Sequence, residues 1–427
     1  MRKYFSGSIA IVVLIFTLNR ADAQDKKTIQ IDSLIDHVYQ LGLFNGNVLI
    51  AEKGDVVYKA SMGFAEAAKK NRLTDQYKFL MGSIVREFSA VGIMMLSEQG
   101  KLNVEDKLSK YLSELPEQAG KMSVKELLQH ASDNENIVLQ QKLVEKLTGV
   151  SFSQFIADEL FKPGGIHIIP MQPKEQESLV AKSFNNDHQQ DKLDLPSSLQ
   201  IYLTLDDLYA WLQHLYRLKA INVSAVKQLF VTAEKDKPSA LGYGIMEGDK
   251  WISHMDIGSV LNSEVFFSSN IPKGRTIILM SNNKNIKLSE LNNIIQSILD
   301  GKPYNFPKKS LFQKIEKQLS ALNGHQIVAF YEYLKSKNNE EYNFGSEKEL
   351  ENIGNYLMEK SRFDDAIEVF KHNVKLFPKS GIVFLNLAEA FYKKGNEKEA
   401  LINYKKSLSL DPLNKTAKEM VLKLEKK

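Results

Sequence analysis

Apolar residues recur at helical spacing near the start of the chain, where Ile31, Leu34, Ile35, Val38 and Leu41 share one face of a helix predicted over 29–41. The period then changes to that of strands. Residues 46–51 and 55–60 are rich in β-branched and apolar residues, and Lys53-Gly54 between them is a tight-turn pair, so a hairpin is predicted. A long helix is predicted over 83–99, closed by Gly100. Further helices are predicted over 123–129, 136–147 and 205–217, the last with Asp206 and Asp207 at its positive end. Strand character returns between Leu241 and Asn282. Val265-Phe266-Phe267 and the run 276–280 are apolar there, divided by the turn Pro272-Lys273-Gly274. A helix over 288–299 follows. Strands at both ends enclosing helices predict an α+β domain whose sheet is assembled from distant segments.

Beyond a linker at 301–307 the pattern is helical and repeats itself. Leu350, Ile353, Gly354, Leu357, Ala366, Phe370 and Pro378 recur 34 residues later as Phe384, Leu387, Ala388, Phe391, Ala400, Tyr404 and Pro412. Period and residue types match the tetratricopeptide repeat, in which small residues let paired helices approach and large ones fill the gaps. Residues 311–345 read as a diverged helical pair and 416–427 as a capping helix. Such an array presents a groove to a protein or peptide partner. The blander alternative is a lid on the first domain. At the other end, Arg2 and Lys3 precede an apolar run over 8–18 and a small-x-small site at Ala21-Asp22-Ala23. This is the pattern of a secretory signal, too short for a bilayer that needs ~20 apolar residues. The expected organisation is a signal at 1–23, an α+β domain at 24–300, a linker and diverged pair at 301–345, and an all-α repeat domain at 346–427. The expected location is secreted or periplasmic, with no transmembrane helix once the signal is removed.

Composition narrows the picture further. The chain has 427 residues, 43% hydrophobic and 25% charged, which is ordinary for globular domains. A net charge of +4 with no basic block among aromatics gives no case for a nucleic-acid partner. There is no Cys, which excludes disulfides, thiolate metal sites and a lipid carried on an N-terminal Cys. The eight His are scattered without metal-ligand spacing, so no metal or other cofactor is expected.

The candidate chemistry begins where Phe79-Leu80-Met81-Gly82-Ser83-Ile84-Val85-Arg86 opens the long helix. Landmarks follow in order at residues 100–108, Leu127–Ser132, Glu145–Gly149, Phe161–Gly165, Thr204–Leu208, Leu241–Gly244 and Ser253-His254. This series resembles the serine β-lactamase and penicillin-binding proteins, in their class C, esterase and D-peptidase branch. The resemblance spans about residues 29–300. It implies an antiparallel sheet with helices, of the β-lactamase/transpeptidase type, and an acyl or peptide ligand in a cleft. It also implies a serine nucleophile at Ser83, in a Ser-x-x-Lys motif whose Lys activates the hydroxyl.

The same residues depart from that pattern. Arg86 stands where the resemblance expects Lys. Arg stays protonated, so it cannot accept the serine's proton. A serine at this place is also an ordinary helix N-cap. Ser132-Asp133-Asn134 stands at the second motif, Tyr-x-Asn, with Asn134 kept and Ser132 in place of Tyr; Ser132-x-x-Glu135 also reads as a capping box. His254-Met255-Asp256 stands at the third motif, where His254 fits and Asp256 replaces a Gly, crowding the strand edge and repelling an anion. His254 equally suits a structural histidine. The favoured expectation is a degenerate hydrolase domain, coupled to a repeat-based interaction domain, that holds a ligand or scaffolds without catalysis. Alternatives are an active serine hydrolase using Ser83 with His254 or Asp256 as base, and a function resting in the repeats alone.

Overall fold

The computed structural model describes residues 26–130, 134–166, 179–185, 187–196, 199–234, 236–337 and 341–426. The segment read as an export signal lies outside these, and so does Ser132. The chain divides into two compact units that meet at Phe306 and Pro307.

The first unit is built on one antiparallel sheet. Its strands are β1 (Gly46–Glu52), β2 (Asp55–Met62), β5 (Tyr243–Glu247), β6 (Lys250–Val260), β7 (Ser263–Asn270) and β8 (Arg275–Ser281), in the order β2-β1-β8-β7-β6-β5. The short strands β3 (Phe79–Leu80) and β4 (Tyr202–Leu203) pair separately. The first hairpin meets the last strand in the middle of the sheet, with Val48 opposite Leu279 and Ile50 opposite Ile277. Gly46 permits that closeness, because a Cβ there would lie 1.9 Å from the Met280 carbonyl oxygen. β1 is buried on both faces, which is why it reads as a continuous apolar run. Val48 and Ile50 pack with Ile31, Leu34, Ile35, Leu291 and Ile295, from helix α1 (26–40) and the helix Leu288–Leu299. Leu49 packs on the other face with Phe88, Trp211, Phe267 and Ile278, beneath helix α2 (Val85–Glu98) and the helix Leu205–Tyr216. The latter starts from a capping box between Thr204 and Asp207, so one of the two aspartates at its positive end is a cap.

The second unit is helical: Gly324–Lys337, Lys348–Glu359, Phe363–Leu376, Gly381–Lys393, Glu397–Leu410 and Lys415–Glu425. Gly354 lies against Phe370 so closely that a Cβ would meet the ring at 2.2 Å. One repeat length later, Ala388, Ala400 and Tyr404 pack in a second cluster with Ala417 and Leu424. Among the described residues no helix is long and apolar enough to cross a membrane.

Candidate active site

The long helix does not open as the apolar pattern predicts. Gly82–Ile84 form a single 3-10 turn, and the α-helix proper begins at Val85. Gly82 takes a positive φ of 55°, which re-aims the chain into that turn. Ser83 therefore sits inside the turn and not at the N-cap, and neither helical start has a side-chain cap. It is half-buried, and its hydroxyl makes no hydrogen bond with a described residue. Two glycines bring this turn against β6. A Cβ on Gly258 would lie 1.8 Å from the Met81 carbonyl oxygen, and one on Gly82 would lie 2.9 Å from the Ser259 nitrogen.

Arg86 is 2% exposed and every arm of its guanidinium is engaged. Nε donates to the Ser239 carbonyl at 3.1 Å, and Nη1 donates to the backbone carbonyl of Ser83, not its hydroxyl, at 2.9 Å. Nη2 forms an ion pair with Asp256 Oδ1. Asp256 is fully buried beside Gly242, whose φ of 65° and missing side chain leave room for the carboxylate. The same Oδ1 accepts the Ile257 N–H at 2.8 Å. That N–H lies on β6 just past its last pairing with β5. A backbone donor at such an edge is the kind of group that stabilises a developing oxyanion; here the neighbouring carboxylate has taken it. Asp256, expected to crowd the strand edge and repel an anion, holds its carboxylate against the Arg86 guanidinium.

Behind this pair lies a second buried layer. Glu87, adjacent to Arg86 on the helix, receives His254 Nε2 at 3.1 Å and Trp211 Nε1 at 3.5 Å. His254 Nε2 also faces the Leu241 carbonyl at 2.8 Å. Both partners are acceptors, so this nitrogen carries the hydrogen. Nδ1 lies 3.1 Å from the Tyr216 hydroxyl, whose pKa burial raises well above its ordinary value. The hydroxyl therefore stays protonated and shares a hydrogen bond with Nδ1. His254 has both nitrogens committed to this layer. Burial pushes the Asp256 carboxyl up to about 7 against the pull of Arg86, and the Glu87 charge adds to the rise. Asp256 Oδ2 has no hydrogen-bond donor among the described residues.

The structure thus brings Ser83, Arg86, Asp256 and His254 into one neighbourhood. Asn134 is exposed at the start of the helix Asn134–Thr148 and makes no hydrogen bond with a described residue through its side chain. Glu87, Ser239 and Tyr216 went unnoticed in the sequence. The available signal was Arg86-Glu87, two adjacent charges inside the otherwise apolar stretch around α2. Cavities of about 330 Å³, beside Leu80, Tyr202 and Val260, and about 380 Å³, beside Phe44 and Phe184, are not lined by Ser83 or Arg86.

A serine in the turn that opens a helix beneath such a sheet, set against strand β6 with its His254, is the arrangement of one class: the β-lactamase and penicillin-binding serine hydrolase fold. The chain belongs to the beta-lactamase family, whose description matches residues 31–289. It is similar to penicillin-binding protein 4* of Bacillus subtilis strain 168, 23% identical over 365 residues that cover 68% of this chain and 80% of that protein. A putative penicillin-binding protein, PbpX, of the same organism is 22% identical over 331 residues, covering 66% and 82%. Among solved structures, FmtA of Staphylococcus aureus superposes with a TM-score of 0.53 at 19% identity, covering 66% of this chain and 92% of that one. A class C beta-lactamase gives 0.52 at 16%, covering 65% and 98%. These superpositions establish the fold.

Proposed function

We propose that this is an exported, non-catalytic member of the family, in which the degenerate domain holds a ligand or serves as a scaffold. On this reading the C-terminal unit is a tetratricopeptide array that recruits a protein or peptide partner. One observation carries the reading: the guanidinium that replaces the expected Lys amine is locked in a buried ion pair with Asp256 and bonded to the Ser83 carbonyl. A permanently protonated group takes no proton from a hydroxyl. The other bases nearby are held in contacts of their own: His254 by Tyr216 and Glu87, and Asp256 through Oδ1 by Arg86 and the Ile257 N–H; neither bonds the Ser83 hydroxyl. A serine without a base is a weak nucleophile. The 34-residue repeat and the Gly354–Phe370 fit support the array.

The test is capture of the purified full chain by a fluorophosphonate and by a labelled penicillin. No Ser83-dependent labelling is expected. Covalent labelling that disappears in Ser83→Ala would overturn the reading in favour of an active serine hydrolase.

A further inference from the structure

The face of the sheet that packs on α1 is only partly covered. The helix Leu288–Leu299 packs on β7 and β8. Beyond it, toward the β5 edge, lies a cavity of about 670 Å³, within the range of small-molecule sites. The register places two cross-strand rows along its floor. Tyr243, Met255 and Ser268 form one, and Ile245, Ser253, Asn270 and Arg275 form the other. The floor grades from apolar at β5, where Tyr243 is 40% and Ile245 57% exposed, to polar beside the helix.

The helix wall is unusual in its chemistry. Asn292, Gln296 and Asp300 stand four residues apart on the flank turned to the cavity, while Leu291, Ile295 and Ile298 fill the core. The wall is fixed by its own hydrogen bonds. Arg275 donates to Gln296 Oε1 at 2.8 Å, Gln296 Nε2 approaches Ser268 Oγ at 3.4 Å, and Ser268 donates to Asn292 Oδ1 at 2.7 Å. Asn292 and Ser268 are almost wholly buried. The buried polar groups of this flank are satisfied by one another, which fixes the directions in which they face the cavity. Arg275 is paired with Glu52 and Asp300, and Lys273 and Lys302 each lie 3.6 Å from Asp300. Lys237 at the rim is the remaining cation of the lining.

We infer that this groove binds a saccharide. A sugar ring has an apolar C–H face, which Tyr243, Ile245 and Met255 match, and a rim of neutral hydroxyls that both donate and accept. Asn, Gln and Ser side chains do the same. The floor cations Arg275 and Lys273 each already face a carboxylate, so an anionic ligand would have to displace an existing pair. An extended peptide would need the β5 edge, which is five residues long and broken by a register shift at Ile245/Met246. The inference is independent of the fate of Ser83, which lies outside this cavity.

The experiment is calorimetric titration of the full chain with maltotriose, cellotriose, chitotriose and, for contrast, triglycine. At least one sugar is expected to bind while triglycine does not. Affinity is expected to fall about tenfold or more in Tyr243→Ala and in Asn292→Ala, and to hold in Ser83→Ala. Tyr243 is exposed, so its variant keeps the test valid if Asn292→Ala unfolds. Failure of every sugar to bind, equal binding of triglycine, or binding that survives Tyr243→Ala would overturn the inference.

Discussion

Arg86 and Asp256 depend on each other. Arg86 without Asp256 would be a buried, unpaired charge, and breaking such a pair costs about 3–5 kcal/mol. Arg86→Met is therefore expected to lose about that much stability, read as a lower denaturation midpoint in urea. Asp256→Asn removes only the anion and keeps a hydrogen-bonding side chain, so it is the better probe of the proton. The Asp256 carboxyl lies at about 7 in the folded chain against an ordinary carboxylate value near 4 when unfolded. Between those values the folded state binds more protons than the unfolded one, so this group's contribution falls as pH rises. Relative to Asp256→Asn, the wild-type protein should lose melting temperature steadily from pH 4.5 to 7 and level off above. Parallel curves for the two proteins would mean that the carboxyl titrates normally.

At the scale of elements, the decisive contact is between the 3-10 turn at Gly82–Ile84 and strand β6. Gly258 permits it by presenting bare backbone to the Met81 carbonyl. Gly258→Ala forces strand and helix apart and is expected to cost about 3 kcal/mol in chemical denaturation. Gly120→Ala is the control: its Cβ would meet Ser109 at an ordinary 3.7 Å, within a short helix, and should be neutral or slightly stabilising. Equal losses in both would deny that this contact is special. The same contact explains what was legible beforehand. α1, the first hairpin and the helix at 205 were readable, because each buries a periodic apolar stripe. The extents of β5 and β6 were not, since β6 carries Lys, Ser, His, Asp and Gly, whose burial depends on partners elsewhere. The departures at Arg86 and Asp256 were each visible in the sequence. Their pairing across 170 residues was not, because only the register of β6 against the helix start creates it. The cap role for Ser83 failed for a local reason: the positive φ at Gly82 inserts a turn that no hydrophobic period reports.

At the scale of the molecule, the two compact units hold separate cores. The clusters of the first lie between Ile31 and Tyr304, and those of the second between Leu311 and Leu424, with no residue shared. Within the second unit, helices pack on those one or two places away along the chain, so its order comes from nearby sequence. Contacts of short separation fold readily without help from distant chain. Residues 307–427 expressed alone are therefore expected to be helical by circular dichroism and to melt cooperatively. Residues 26–306 should likewise fold alone, with the Arg86–Asp256 pair intact. The sheet of that unit closes only when β8 meets β1, so its folding should be the slower of the two, since Gly46–Ala51 must find partners more than 200 residues away. Stopped-flow refolding of each fragment measures this directly. A 307–427 fragment that stays unfolded, or that refolds more slowly than 26–306, would mean that the helical unit takes its order from the sheet domain and not from its own helices.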